Sequence, residues 1–264
     1  MVQLQRPKVS TPEDAKILRS IHETGALLVG DLFLPNYINE CIRVTEGLGN
    51  FQKIVIANEA KKRGTDAESL ARLLAQIDDT IKWAGEIRGE GYHQIHTLSF
   101  LSEWSAQEAG IENVIAAILE TIADAGTAAS ARFAVGRYST EDWPWSNEKC
   151  LEIAQKLDQK AKEKTPDGGW NIAERMKVLF GWLGVKVEIP SNMAAKYNEA
   201  SMIRNVIVHR YGRLGSSDAN RAPHLNEWIG KTVPMSRERL GEYHNAIIAV
   251  HLAIMNGVIA NGWK

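Results

Sequence analysis

Cysteine is scarce in this chain: Cys41 and Cys150 are the only two among 264 residues. A disulfide framework is thereby excluded, and neither cysteine lies in a metal-ligand spacing, so a reducing, cytoplasmic setting is expected. Excess charge is also missing. With a formal net charge of −1, the surface as a whole does not coat nucleic acid or a membrane, and any anionic partner must be held by a local patch. Long apolar runs are absent as well. The longest, residues 246–260, is interrupted by His251 and Asn256, and residues 1–10 have no apolar signal core. Neither a membrane span nor an export signal is expected. Strand patterning is thin: residues 185–189 alternate and residues 229–233 read as a second short strand, but neither could organise a sheet.

What the sequence does have is helical periodicity in a chain of ordinary globular composition, 44% hydrophobic and 24% charged. Thr11-Pro12-Glu13-Asp14 and the capping box Thr65-x-x-Glu68 both read as helix starts, the second ahead of Leu70, Leu74, Ile77 and Ile81. From Ile95 to about Ile122, the positions Leu98, Leu101, Trp104, Ile111, Ile115 and Ile118 keep helical spacing, predicting one long wall of a bundle. Ser146 opens a helix with Cys150, Ile153, Leu157 and Ala161 inward. Asn171-x-x-Glu174 opens another carrying Ile172, Met176, Leu179 and Leu183. Ser236 opens a last one through Tyr243, Ile247, Val250, Ile254 and Val258. The expected class is all-α. Gly85, Gly89 and Gly91 make residues 85–91 the expected joint between an N-terminal helical region, 1–90, and a bundle, 91–264. Nothing in the pattern of residues 1–90 chooses between a sensor, a docking surface and an added helical layer.

Chemistry concentrates near the C-terminus. The segment from Ser201 to Gly212 carries Arg204, Asn205 and His209 among apolar residues, and Met193, Tyr197, Ala200, Ile207, Val208 and Tyr211 define a buried helical stripe. Arg204 lies on that stripe. Its neighbours three and four residues away, Ala200, Ser201, Ile207 and Val208, offer no carboxylate, so the guanidinium needs an external partner. Between residues 186 and 221, six basic residues stand against three acidic ones, which places the basic bias around this helix.

The motif Arg204-Asn205-x3-His209 resembles that of the HEPN superfamily (higher eukaryotes and prokaryotes nucleotide-binding), in which an Arg, a polar residue, a spacer and a His lie near the end of one helix of a four- to five-helix bundle. The strict form arises by chance in about one chain per hundred at average residue usage. The resemblance spans roughly residues 92–260. It implies a metal-independent endoribonuclease acting as a two-fold homodimer, without cofactor, with RNA as substrate. Arg204 would then hold the phosphate and its developing charge, and His209 would exchange the proton. Asn205, about 40° round the helix from His209, would orient the imidazole or contact RNA. Arg210 and Arg213 would form a basic rim on the RNA. Gly212 reads as a C-cap that leaves His209 in the last turn, where the helix dipole favours the protonated imidazole of a general acid. A toxin or phage-defence effector is implied, with an antitoxin or activating partner. The alternative is a non-catalytic helical dimer module that binds RNA, a nucleotide or a partner protein. Arg204 by itself could also be structural, tying helices through carbonyls or a distant carboxylate such as Glu108.

Other candidates are weaker. His93-x-x-His96 with Glu103 lacks a third ligand at a metal spacing, so no metal is expected and the pair reads as capping the long helix. Gly168-Gly169 and Gly212-x-x-Gly215 lack the strand and Lys of a phosphate loop. Trp104 and Trp182 are read as core. Trp143 and Trp145 flank Pro144 in a loop, as a base-stacking surface or a packed plug.

Overall fold

The structure, a computed structural model, describes residues 15–134 and 137–263. Its helices are α1 Lys16–Arg63, α2 Ala67–Gly89, α3 His93–Thr121, α4 Ala123–Ser130, α5 Asn147–Lys164, α6 Ile172–Gly181, α7 Ser191–Arg210, the one-turn α8 Ser216–Ala219 and α9 Arg237–Ala260. No strand occurs among the described residues, and the class is all-α. The helix start read at Thr11 lies outside the described residues.

Both strand expectations are corrected. Residues 185–189 are extended and keep their alternation, with Val185, Val187 and Ile189 buried and Lys186 and Glu188 exposed, yet no second strand lies beside them. They pack instead on α9. A β-carbon on Gly257 would come within 2.5 Å of the Lys186 carbonyl oxygen. Residues 229–233 meet 212–214 only through two isolated bridges, Arg213 with Thr232 and Leu214 with Ile229. Because the atom a side chain at 257 would meet is backbone, Gly257→Ala is expected to destabilise the protein by about 1–3 kcal/mol, read as a lower midpoint in urea; an unchanged midpoint would contradict this packing.

The described residues gather into two compact units. One comprises residues up to Gly30, Phe100–Val233 and from Gly241 onward; the other comprises Asp31–Ser99 and Pro234–Leu240. The boundary read near residue 90 falls inside the second unit, and the first turns of α1 group with the larger one. In that larger unit α3 is the central wall. Trp104 stacks on Tyr197 of α7, ring centroids 5.2 Å apart, and Phe100 lies 5.3 Å from Tyr243 of α9. α5 turns Cys150, Ile153, Leu157 and Ala161 fully inward, as its spacing predicts. Burial pushes the Cys150 thiol up to about 11, so it is chemically inert at neutral pH. α9 is long and apolar enough to cross a membrane, but more than half of its most apolar window is buried within the protein, where Tyr243, Ile247, Val250, Ile254 and Val258 form its core face.

In the second unit α1 and α2 form an antiparallel hairpin around Ile42, Ala84 and Ile87, with Ile38, Tyr92 and Ile95 packed against them. Glu46 and Arg88 pair at 2.8 Å across the hairpin. The cap of α2 sits one residue later than Thr65: Asp66 accepts the Ser69 N–H at 2.8 Å, and Glu68 pairs with Arg72 instead of closing a box. Ser146, Asn171 and Ser236 do cap their helices, accepting from Lys149, Glu174 and Arg239. Two inward assignments are corrected. Leu98 is 65% exposed and Phe100 is the fully buried residue, and Trp182 is half-buried beneath Arg132.

Candidate active site on helix α7

α7 is a continuous helix through Arg210, fixed to α6 by Asn198, whose side chain accepts from the Ala173 N–H and donates to Asn171 Oδ1, both at 3.0 Å. Its buried face differs from the one read in sequence. Tyr197, Ala200, Met202, Ile203 and Val206 face inward, while Val208 and Tyr211 are exposed. Val208 and Tyr211 keep the helical spacing from Tyr197, but they are exposed because α7 leaves the core after Val206.

Arg204 flanks this buried face, three-quarters shielded, and finds the partner it required. Its guanidinium donates to Glu108 Oε2 of α3 at 2.9 Å and to Asn205 Oδ1 at 3.1 Å. Asn205 thus steadies Arg204; no hydrogen bond joins it to His209 among the described residues. Beside this pair lies a polar cluster that sequence spacing did not reveal. Arg175 of α6 pairs with Asp158 of α5 at 3.2 Å. Burial pushes the Asp158 carboxyl up, Arg175 opposes the rise, and Glu112 and Glu108 add to it. Tyr197, fully buried, has its phenol pushed up by the same desolvation. The one available sequence signal was helical periodicity that put polar Asp158 and Arg175 beside inward positions of α5 and α6.

His209 sits in the last turn of α7, exposed and without a hydrogen bond or ion pair among the described residues. On a regular helix five residues turn the chain by about 140°, so one copy of α7 does not aim Arg204 and His209 at one atom. The helix ends on Tyr211 itself, at φ +53°, with Gly212 following at φ +81°; the left-handed residue is one earlier than the Gly212 cap read in sequence. The two rim arginines separate. Arg210 is bound to buried Asp218, which also accepts the Gly215 N–H at 3.1 Å, so it braces the loop after α7. Arg213 is exposed and makes no ion pair among the described residues.

The remaining candidates resolve into structure. Trp143 donates its indole N–H to Leu119 O at 2.9 Å and Trp145 to Ser139 O at 3.0 Å, the latter ring 3% exposed, so this loop is a packed plug. No group of metal-ligating residues occurs among the described residues. His93 and His96 hold one residue of backbone instead: His93 Nδ1 accepts the Met235 N–H at 2.7 Å, and His96 Nδ1 lies 3.0 Å from the Met235 oxygen, with Asn39 Nδ2 3.2 Å from its other nitrogen. The bonding fits two neutral rings. Burial lowers the pKa of both, as it does that of His251, where nearby His22 adds to the effect. The unfolded chain therefore binds protons that the folded chain refuses. Stability is full above the ordinary imidazole value near ~6.5 and is lost as pH falls from there through the lowered folded values. Melting temperature is expected to drop between about pH 7.5 and pH 5.5; a flat profile would contradict the neutral assignment.

Comparisons with family models, curated proteins and solved structures give no match to this chain.

Proposed function

We propose that the protein is a metal-independent endoribonuclease of HEPN type, working in the cytoplasm as a homodimer in which two copies of α7 meet. The observation that supports this most strongly is the pairing of an oriented cation with an unencumbered acid–base group on one helix. Arg204 is set by Glu108 and Asn205, while His209, five residues on, is exposed with no partner among the described residues. In this reading a neutral His209 takes the 2′-hydroxyl proton of RNA as the 2′-oxygen bonds to the adjacent phosphorus. A protonated His209 delivers a proton to the departing 5′-oxygen as its bond to phosphorus breaks. A two-fold pair supplies both forms, and Arg204 offers its fork to the phosphate oxygens as charge builds. The products are a 2′,3′-cyclic phosphate and a 5′-hydroxyl. Arg213, exposed beyond the helix end, adds a phosphate contact. As a toxin or defence effector the chain would impair growth of a host that expresses it, with an antitoxin or activating partner restraining or triggering it.

The test is incubation of labelled total and transfer RNA with the full chain in EDTA. Cleavage supports the reading, and absence of cleavage by a folded protein over a broad RNA set contradicts it. One observation favours the second reading, a non-catalytic helical module binding RNA, a nucleotide or a protein. The Arg204–Glu108 ion pair already satisfies the guanidinium without a ligand. RNA retention without cleavage would select that module.

A further inference from the structure

α1 carries two apolar faces, and α2 covers only one of them. On the covered face Ile42 is buried against Ala84 and Ile87, Gly49 lies against Ile81, and Lys53 pairs with Asp78. On the other face Leu34, Cys41, Leu48 and Val55 recur every seven residues, with Tyr37, Val44 and Phe51 between them. All seven are exposed, the large side chains by 43–70%. Steps alternate three and four along this stripe, which is the 3.5-residue repeat of a coiled-coil seam. A surface helix that merely faces water has no reason to keep that repeat over three heptads.

We propose that this seam is the docking surface for α1 of a second copy of the chain. Area is the first argument. The seam residues, with Phe33 and Ile54 exposed on the same side by 52% and 60%, offer on the order of 800 Å² per copy, what a standard interface buries on each partner. Self-complementarity is the second. In the antiparallel register that sets Cys41 against Phe51, Val55 also meets Tyr37 and Leu48 meets Val44, so each aromatic faces a smaller side chain. Charge argues against a lipid surface: the polar positions beside the seam include Glu40 and Arg43, paired with each other at 2.6 Å, and no basic face flanks the apolar one. The inference does not rest on the ribonuclease reading, since the seam belongs to the smaller unit and α7 to the larger.

The test is the mass of the full chain by sedimentation equilibrium at micromolar concentration, beside the double variant Leu48→Glu with Phe51→Glu and the α7 surface variant Val208→Glu. Because all three side chains are exposed, circular dichroism should hold, while loss of the seam dimer lowers the melting temperature of the double variant. The wild type is expected at twice the mass of one chain or a multiple of it, and the double variant is expected to halve that mass. A monomeric wild type overturns the proposal, as does a mass unchanged by the double variant. A wild type that halves only on Val208→Glu assigns pairing to α7 and overturns the seam. A monomer captured by phosphatidylcholine vesicles assigns it to lipid.

Discussion

Replacing His209 by alanine is expected to lower RNA cleavage about 100-fold or more with no loss of stability. The imidazole is exposed and unpartnered among the described residues, so nothing in the fold depends on it. A general acid–base group typically contributes about 10²- to 10⁴-fold. Arg204→Ala is expected to cost a similar factor, but it also strips Glu108 of its partner. That structural component is small, about 1 kcal/mol at most, because Glu108 is 42% exposed and the pair is solvent-screened. Arg204→Lys separates the two roles. Lysine keeps a charge beside Glu108 while losing the planar fork, so stability should hold and cleavage should still fall at least tenfold. If Arg204→Lys cleaves as well as the wild type, Arg204 serves the fold and not the phosphate.

Removing one partner of the buried pair between Glu103 of α3 and His244 of α9 is expected to have the largest effect on stability. The two side chains are 3% and 9% exposed and hydrogen-bonded. Glu103→Leu leaves an imidazole in the core without its acceptor, a change costing about 3–5 kcal/mol when a buried pair is broken. For a chain of this size that lowers the melting temperature by roughly 10 °C. The double variant Glu103→Leu with His244→Leu, which removes both polar groups, should recover a good part of the loss. Thermal melts of the two single variants and the double read this directly. Additive losses would show that Glu103 and His244 do not act as a pair.

The legible parts of the chain were those where one apolar face and a cap agree. α5, α6 and α9 bury the residues their spacing selected, and Ser146, Asn171 and Ser236 cap where they were expected to. α1 was harder because its two apolar faces blur a single helical stripe, and because Pro35 inside it reads as a stop. The alternating segment at 185–189 misled for a different reason. Alternation records burial of one side, and here the burying surface is α9 at Gly257 rather than a partner strand. At the candidate site, the Arg204-Asn205-x3-His209 motif pointed to Arg204 and His209, and the lack of a local carboxylate pointed to an external partner for Arg204. Glu108, named from the sequence as one such partner, is the carboxylate that Arg204 binds, whereas the neighbouring Asp158–Arg175 pair depends on how α5 and α6 pack against α7. Local sequence spacing carries no record of such contacts between distant helices.

The chemical nature of the RNA ends tests the ribonuclease reading most directly. RNA cut by the wild-type chain in EDTA should carry 2′,3′-cyclic phosphate and 5′-hydroxyl ends, seen by mass spectrometry, and these ends should disappear in His209→Ala. Ends bearing 3′-hydroxyl and 5′-phosphate, or cyclic ends that persist undiminished in His209→Ala, would contradict a mechanism built on the 2′-hydroxyl and His209.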